Sequence, residues 1–382
     1  MRRSEIIQIL DDIYGEHAFE SISEEGWYSA WIDIKNSFIG SQIYHLLRTR
    51  GRLKEVPDWF VQELKNEAER ILFQNMLIRV EQKKMLKAFE EVGIEVIPLK
   101  GTILAERFFG HFAARPTTDV DILVRENDIQ TATDLLVNLS FIKDQVPDND
   151  HFHLVFNKSY ENPLFPFLSV ELHWNILRYH DSKTVMEPFW ERSIAINSRN
   201  YVKELNYEDS IYHICIHGFN HQMLSLKYII DVAQLIVQSK GKFNYSSLLN
   251  KSKQDGNESK LIIVLTLVYK LFPSLNLVEH LPTKKHWPLW NEQLMREAGL
   301  GIKSKRYFLF RFVSLFVMYD SVFSMFKHLR FLVFPPKDYA QTQLREKKEG
   351  HLMVLYMRIY RNRLKHLFSS GAHKAGTKEY DT

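Results

Sequence analysis

The segment Asp119-Val-Asp-Ile-Leu-Val limits what this chain can fold into more than any other. Its β-branched and aliphatic residues read as a strand, and strand side chains alternate between faces. Asp119 and Asp121 therefore point one way while Val120 and Ile122 point the other. Two carboxylates side by side on one strand repel each other unless a cation lies between them. A hard divalent ion such as Mg²⁺ takes carboxylate oxygens and keeps open positions for phosphate and water. The chain has to place this strand in a core with one of its faces opening on a cleft.

The residues around the strand read as a sheet domain. IEVIPL (94–99) is a buried strand, GTILAERFFG (101–110) a short helix, and 127–139 an amphipathic helix. FHLVF (152–156) and LSVELHW (168–174) are two further strands, and this mixture describes one α/β sheet unit. The preceding residues read as helical. Pro57 suits a first helical turn, and Phe60, Leu64, Ile71, Leu72, Met76, Val80 and Phe89 recur at helical spacing up to a stop at Gly93. The helical period returns near residue 207, with Asp209 as the expected cap of a helix through His217 and a further helical stretch at 226–237. Residues 303–368 read as two long helices broken at Pro335-Pro336. Within them, 310–334 is strongly apolar, but Arg311, Asp320, Lys327 and Arg330 interrupt it. A membrane span needs about 20 nearly uncharged residues, so a buried amphipathic helix is expected instead. The divisions that follow are 1–90 (helical), 91–206 (sheet core), 207–368 (helical) and 369–382 (tail).

Composition narrows the function. Lys and Arg number 50 against 46 Asp and Glu, a net charge of +4. That suits a phosphate-bearing ligand but lacks the dense basic stripe of a dedicated nucleic-acid binder. Lys303, Lys305, Arg306, Arg311, Lys347, Lys348, Arg358, Arg361 and Arg363 lie among acids and apolar residues, so they read as solvated helix faces, with RNA binding as the alternative. One cysteine, Cys215, excludes an intrachain disulfide and a cysteine-based zinc site. The amino terminus has no apolar run of the signal-peptide kind, so a cytoplasmic location is expected. A P-loop, the kinase signatures, a dinucleotide fingerprint and a serine-hydrolase elbow are all missing from the sequence.

A third carboxylate, Glu171, lies in SVELHW with Val170 and Leu172 on the opposite face, where it serves as a metal ligand or as a base. Gly101-Thr102 joins a strand to a helix, a place where free backbone N–H groups bind phosphate. Lys100 and Arg115 flank the site in sequence and are positioned to neutralise triphosphate charge. The chemistry expected of this set is in-line attack on an α-phosphorus. His173 shares the face of Glu171 and lines the same cleft. His213, His217 and His221 share one helix face, with packing favoured over metal binding, and Asp231 one helix on is expected to bond to a histidine or to cap the site. His151 and His153 read as cleft or surface residues.

LKGT, DVDILV and VELHW together resemble the signature of the DNA polymerase β-like nucleotidyltransferases: Gly-Gly or Gly-Ser, then Asp-x-Asp on a strand, then a later acidic strand residue. Thr102 stands where that pattern has its second Gly or Ser, and its spacing to Asp119 is longer than usual. VIPLKGTILAERFF, RPTTDVDILV, VELHW and the 213–236 segment are similar to a bacterial family of uncharacterised nucleotidyltransferases over about residues 92–235. The resemblance implies an α+β fold with a polymerase β-like core between helical regions. It implies Mg²⁺ or Mn²⁺ on Asp119, Asp121 and Glu171, and an NTP, ATP by expectation, contacting Gly101 and Thr102. It also implies transfer of a nucleotidyl group, AMP by expectation, to a hydroxyl or phosphate of a small molecule, peptide or protein, with natural-product or polysaccharide tailoring as the setting. RNA-directed transfer and a non-catalytic nucleotide-binding module are the alternatives.

Overall fold

The computed structural model describes residues 3–19, 22–144, 152–163, 165–176, 184–196, 199–344 and 351–368. The fold is α+β, with a mixed sheet wrapped by helices. Four helices lead in: α1 (Glu5–Gly15), α2 (Glu24–Ser37), α3 (Gly40–Thr49) and the long α4 (Asp58–Val92). Pro57 immediately precedes α4, and Gly93 ends it in the left-handed conformation at φ 79°. The α4 core face advances in steps of four or three: Phe60, Leu64, Ala68, Ile71, Asn75, Ile78, Gln82, Met85, Phe89. Leu72, Met76 and Val80, expected on that face, are exposed. Two polar residues hold the stripe positions that an apolar count misses. Asn75 Nδ2 donates to the carbonyls of Phe112 and Arg115, and Gln82 accepts from Thr102 Oγ1.

The sheet holds β1 (Val96–Pro98), β2 (Asp119–Val124), β3 (Ile142–Lys143), β4 (His153–Ser159) and β5 (Phe167–His173), in the order β1-β2-β5-β4-β3. Helix α5 (Thr102–Phe109) follows β1, and α6 (Ile129–Asn138) follows β2. The β2–β5 pair is parallel and the other neighbours are antiparallel. One sheet face buries Val120, Ile122, Val124, Val170, Leu172 and Phe156 with Ile78, Met85, Phe89, Ala132 and Leu136 from α4 and α6. On the opposite face, Ile97, Leu99 and Leu123 join a larger apolar cluster with α1–α3 and the helices that follow the sheet. The β2 and β5 carboxylates emerge on this second face.

After the sheet come α7 (Glu187–Glu191), the short ribbon β6 (Ile194–Ala195) and β7 (Lys203–Glu204), then α8 (Tyr207–Asn220), α9 (Leu226–Gln238), α10 (Tyr245–Gln254), α11 (Glu258–Leu271) and α12 (Glu292–Gly299). The cap of α8 is Asn206, whose side chain accepts from Asp209 N at 2.7 Å. Asp209, expected as the cap, lies inside the first turn and is held by Arg192 and Lys251. The last region holds four helices where two were expected: α13 (Lys305–Val317), α14 (Val322–Val333), α15 (Lys337–Leu344) and α16 (Leu352–Phe368). The apolar run 310–334 is not one buried helix. It breaks at 318–321, and no residue of α14 is buried. Asp320 explains the break, because its carboxylate accepts from the Glu258 and Ser259 amides at the start of α11. No helix among the described residues is long and apolar enough to cross a membrane. The expected tail at 369–382 and His151 lie outside the described residues.

Candidate active site

The parallel β2–β5 register sets Asp121 directly opposite Glu171, and Leu123 opposite His173. Strand alternation then puts Asp119, Asp121, Glu171 and His173 on one sheet face. His173 Nε2 lies 3.2 Å from Asp121 Oδ1 and 3.1 Å from Glu171 Oε2. Lys100 reaches the same Asp121 Oδ1 with its ammonium at 2.9 Å. It enters from the turn after β1, which is tied to β2 by the Leu99 amide donating to the Asp121 carbonyl. His153 stacks near His173, at a ring separation of 5.0 Å.

The charges are strongly coupled. Burial pushes the Asp121 carboxyl up, but Lys100 and His173 outweigh it and hold the group well below the usual carboxylate range. Asp119 goes the other way: burial and then Asp121 push its carboxyl up. Burial opposes charge on Lys100 and His173, yet the carboxylates win and raise both. One aspartate thus takes most of the cationic contacts, and its neighbour on the strand is the easier to protonate.

Asp121, Glu171 and His173 each offer a ligand atom within 4.8 Å of the others. Asp121 Oδ2 and His173 Nδ1 are buried with no hydrogen-bond partner among the described residues. Two carboxylates and an imidazole, with an unsatisfied carboxylate oxygen among them, fit a divalent cation. Asp119 is not in this tight group; its Oδ1 has a 3.4 Å contact from Thr118 Oγ1.

Gly101 occupies φ 78°, ψ −142°, which non-glycine residues rarely adopt, and a Cβ there would meet Thr117 Cγ2 at 3.3 Å. It is the residue immediately before α5. Thr102 is buried, and its hydroxyl donates to Gln82 Oε1 at 2.6 Å, so the side chain is engaged with α4. Arg115 is also buried. Its Nε donates to both carboxylate oxygens of Asp231 at 3.0 and 2.8 Å. Gln42 Nε2 adds a third contact to Asp231 at 3.1 Å. Asp231 therefore serves Arg115 and not a histidine, which corrects that part of the sequence expectation: a buried, permanently charged guanidinium needs a carboxylate partner, whereas a buried imidazole can stay neutral.

Helix α8 turns His213, His217 and His221 toward the field of Lys100. Burial comes first and Lys100 second in lowering all three, His213 to about 3 and His221 to about 4. They are neutral at pH 7. Among the described residues the metal-capable group is the Asp121–Glu171–His173 set and not this ladder. Tyr228 of α9 stacks on His221 at 4.9 Å and meets His217 edge-on at 5.6 Å. Its neighbour Lys227 is lowered to about 7, by burial first, then by Arg115, although Asp231 and Asp119 oppose the shift. Reading the sequence alone passes over Lys227 and Tyr228. A lysine inside the apolar run LSLKYII is the only signal it offers.

Residues 27–273 match the model of a family described as uncharacterised nucleotidyltransferase. The solution structure of antibiotic-resistance factor ANT(2'')-Ia is similar at 13% identity, covering 55% of this chain and 98% of its own, with a TM-score of 0.30. No curated protein matches the chain.

Proposed function

The chain belongs to the uncharacterised nucleotidyltransferase family and is an enzyme of nucleotidyl transfer, and from that premise we propose that it moves AMP from ATP to a hydroxyl or phosphate oxygen of a small molecule, peptide or protein. The observation that carries this reading is the register that sets Asp121 against Glu171, with Asp119 on the same face and Lys100 on Asp121. Asp119, Asp121 and Glu171 hold Mg²⁺ or Mn²⁺ in this proposal, and His173 joins them. The metal supplies charge neutralisation at the reacting phosphate. The Gly101 turn lets the α5 amides approach phosphate. Lys100 and Lys227 supply positive charge to the triphosphate, while Arg115 acts from behind, paired with Asp231.

In the reaction the acceptor oxygen bonds to the α-phosphorus as the bond to the bridging oxygen breaks. Pyrophosphate leaves with that electron pair. Glu171, half-buried beside the cleft, takes the acceptor's proton. Natural-product or polysaccharide tailoring is the setting in which acceptors are best sought.

Label transfer from α-phosphate-labelled ATP, together with pyrophosphate release, tests the proposal. Asp121→Asn is expected to lower the rate by about a hundredfold or more, and chelation of divalent ions is expected to abolish it. Unchanged turnover in Asp121→Asn would overturn the assignment.

A further inference from the structure

Two helices after the matched family segment keep an apolar face in solvent. On α13 the stripe Lys305, Leu309, Phe312, Phe316 follows helical spacing, and its three apolar members are 53%, 57% and 49% exposed. On α14 Phe323 and Phe326 are 80% and 61% exposed, and Phe334 just past its end is 60% exposed. The exposed Lys327 and Arg330 lie between them. Helix α13 and the turn after it are nevertheless fixed to the body. Phe310 is buried against Trp287, Trp287 Nε1 donates to Ser314 Oγ at 2.8 Å, and Asp320 caps α11. The exposed face of α13 is therefore held outward by contacts on its other side, and Asp320 anchors the turn that leads into α14.

Charge is segregated in the same way. Residues 303–368 carry 14 Lys and Arg against 4 Asp and Glu, whereas residues 1–302 carry 34 against 40. A modest net charge thus hides a cationic segment joined to an anionic body. The acid between α13 and α14, Asp320, is engaged with α11, which leaves the outward face basic and apolar.

We infer that α13 and α14 form a docking surface for an anionic phospholipid bilayer, lying in the interface with their phenylalanines among the headgroups and upper acyl chains. Phe and Leu on a helix face bordered by Lys and Arg is the composition that binds at such an interface, and anionic headgroups answer the positive charge. A second copy of the chain would bring like charge against like charge on this face. RNA would satisfy the charge but would leave Leu309, Val322 and Val333 without an apolar partner.

The test is sedimentation of the full chain with vesicles of phosphatidylcholine alone and of phosphatidylcholine with roughly a third phosphatidylglycerol. Retention on the anionic vesicles is expected, falling with added salt. Phe323→Ser/Phe326→Ser and, separately, Lys327→Glu/Arg330→Glu are each expected to lower retention at least about tenfold, with unchanged circular dichroism and thermal midpoint. Four results would overturn the inference: no retention on anionic vesicles, equal retention on phosphatidylcholine alone, retention indifferent to both double substitutions, or a solution dimer that the phenylalanine changes dissociate. Binding of tRNA by a chain that ignores vesicles would assign the face to RNA instead. None of these results bears on nucleotidyl transfer, which is read in the label-transfer experiment.

Discussion

Asp231 and Lys227 do different work within one turn of α9. Asp231 neutralises a guanidinium that is almost wholly out of solvent, with side chains 4% and 1% exposed in the pair. Asp231→Ala would leave Arg115 charged and alone, and breaking a buried pair in this way costs about 3–5 kcal/mol. The expected outcome is a large fall in denaturation midpoint, measured by urea unfolding; a midpoint within error of the wild type would contradict the pairing. Lys227 bears on nucleotide affinity instead. Its ammonium is lowered to about 7, so near neutral pH it is about half protonated. An anion bound beside it favours the protonated form and raises its pKa. ATP binding is therefore expected to take up at most about half a proton near pH 7, and affinity to rise as pH falls through about 7. Calorimetry in buffers of differing ionisation enthalpy measures this, and Lys227→Met is expected to lose the uptake. Equal proton uptake by the variant would remove Lys227 from the triphosphate's neighbourhood.

Helix α4 and the segment before β2 behave as one element. Asn75 holds the carbonyls of Phe112 and Arg115, and Gln74 donates to that of Thr117, so α4 fixes the approach to the Asp119 strand. Asn75→Ala removes the side-chain donor to the Phe112 carbonyl and leaves the Arg115 carbonyl with the longer Thr117 Oγ1 bond alone, at a cost of about 1–3 kcal/mol. Faster amide exchange at residues 112–119 is the expected signature, and unchanged exchange there would contradict this role for α4. The α4 helix itself could be read from Pro57, the apolar spacing and Gly93. Its true core face could not, because Asn75 and Gln82 occupy it and an apolar tally skips them. Strands β1, β2, β4 and β5 were legible for the opposite reason, whereas the two-residue strands β3, β6 and β7 are too short to show a period. Val, Ile and Leu at alternating positions define a strand with one apolar face, and acids on the other face stand out. The Arg115–Asp231 pair joins positions 116 apart in sequence, and nothing local announces such a partner. The apolar run 310–334 misled because composition records how greasy a helix is and not whether anything covers it.

For the whole molecule, the sheet places a carboxylate cluster on the face turned toward α8 and α9, and the last helices carry a separate basic and apolar surface. Asp121 is bound by Lys100 and His173, so its replacement removes stabilising charge. Asp119→Asn/Asp121→Asn is therefore expected to lower the thermal midpoint while keeping a cooperative transition. The most direct measurement is calorimetric titration of ATP in the presence and absence of Mg²⁺, comparing the wild type with this double variant. Binding that needs both the metal and the two aspartates is the predicted result. Binding of equal strength without Mg²⁺ or in the folded double variant, or no binding of any NTP by the folded wild type with Mg²⁺ or Mn²⁺ present, would contradict the account.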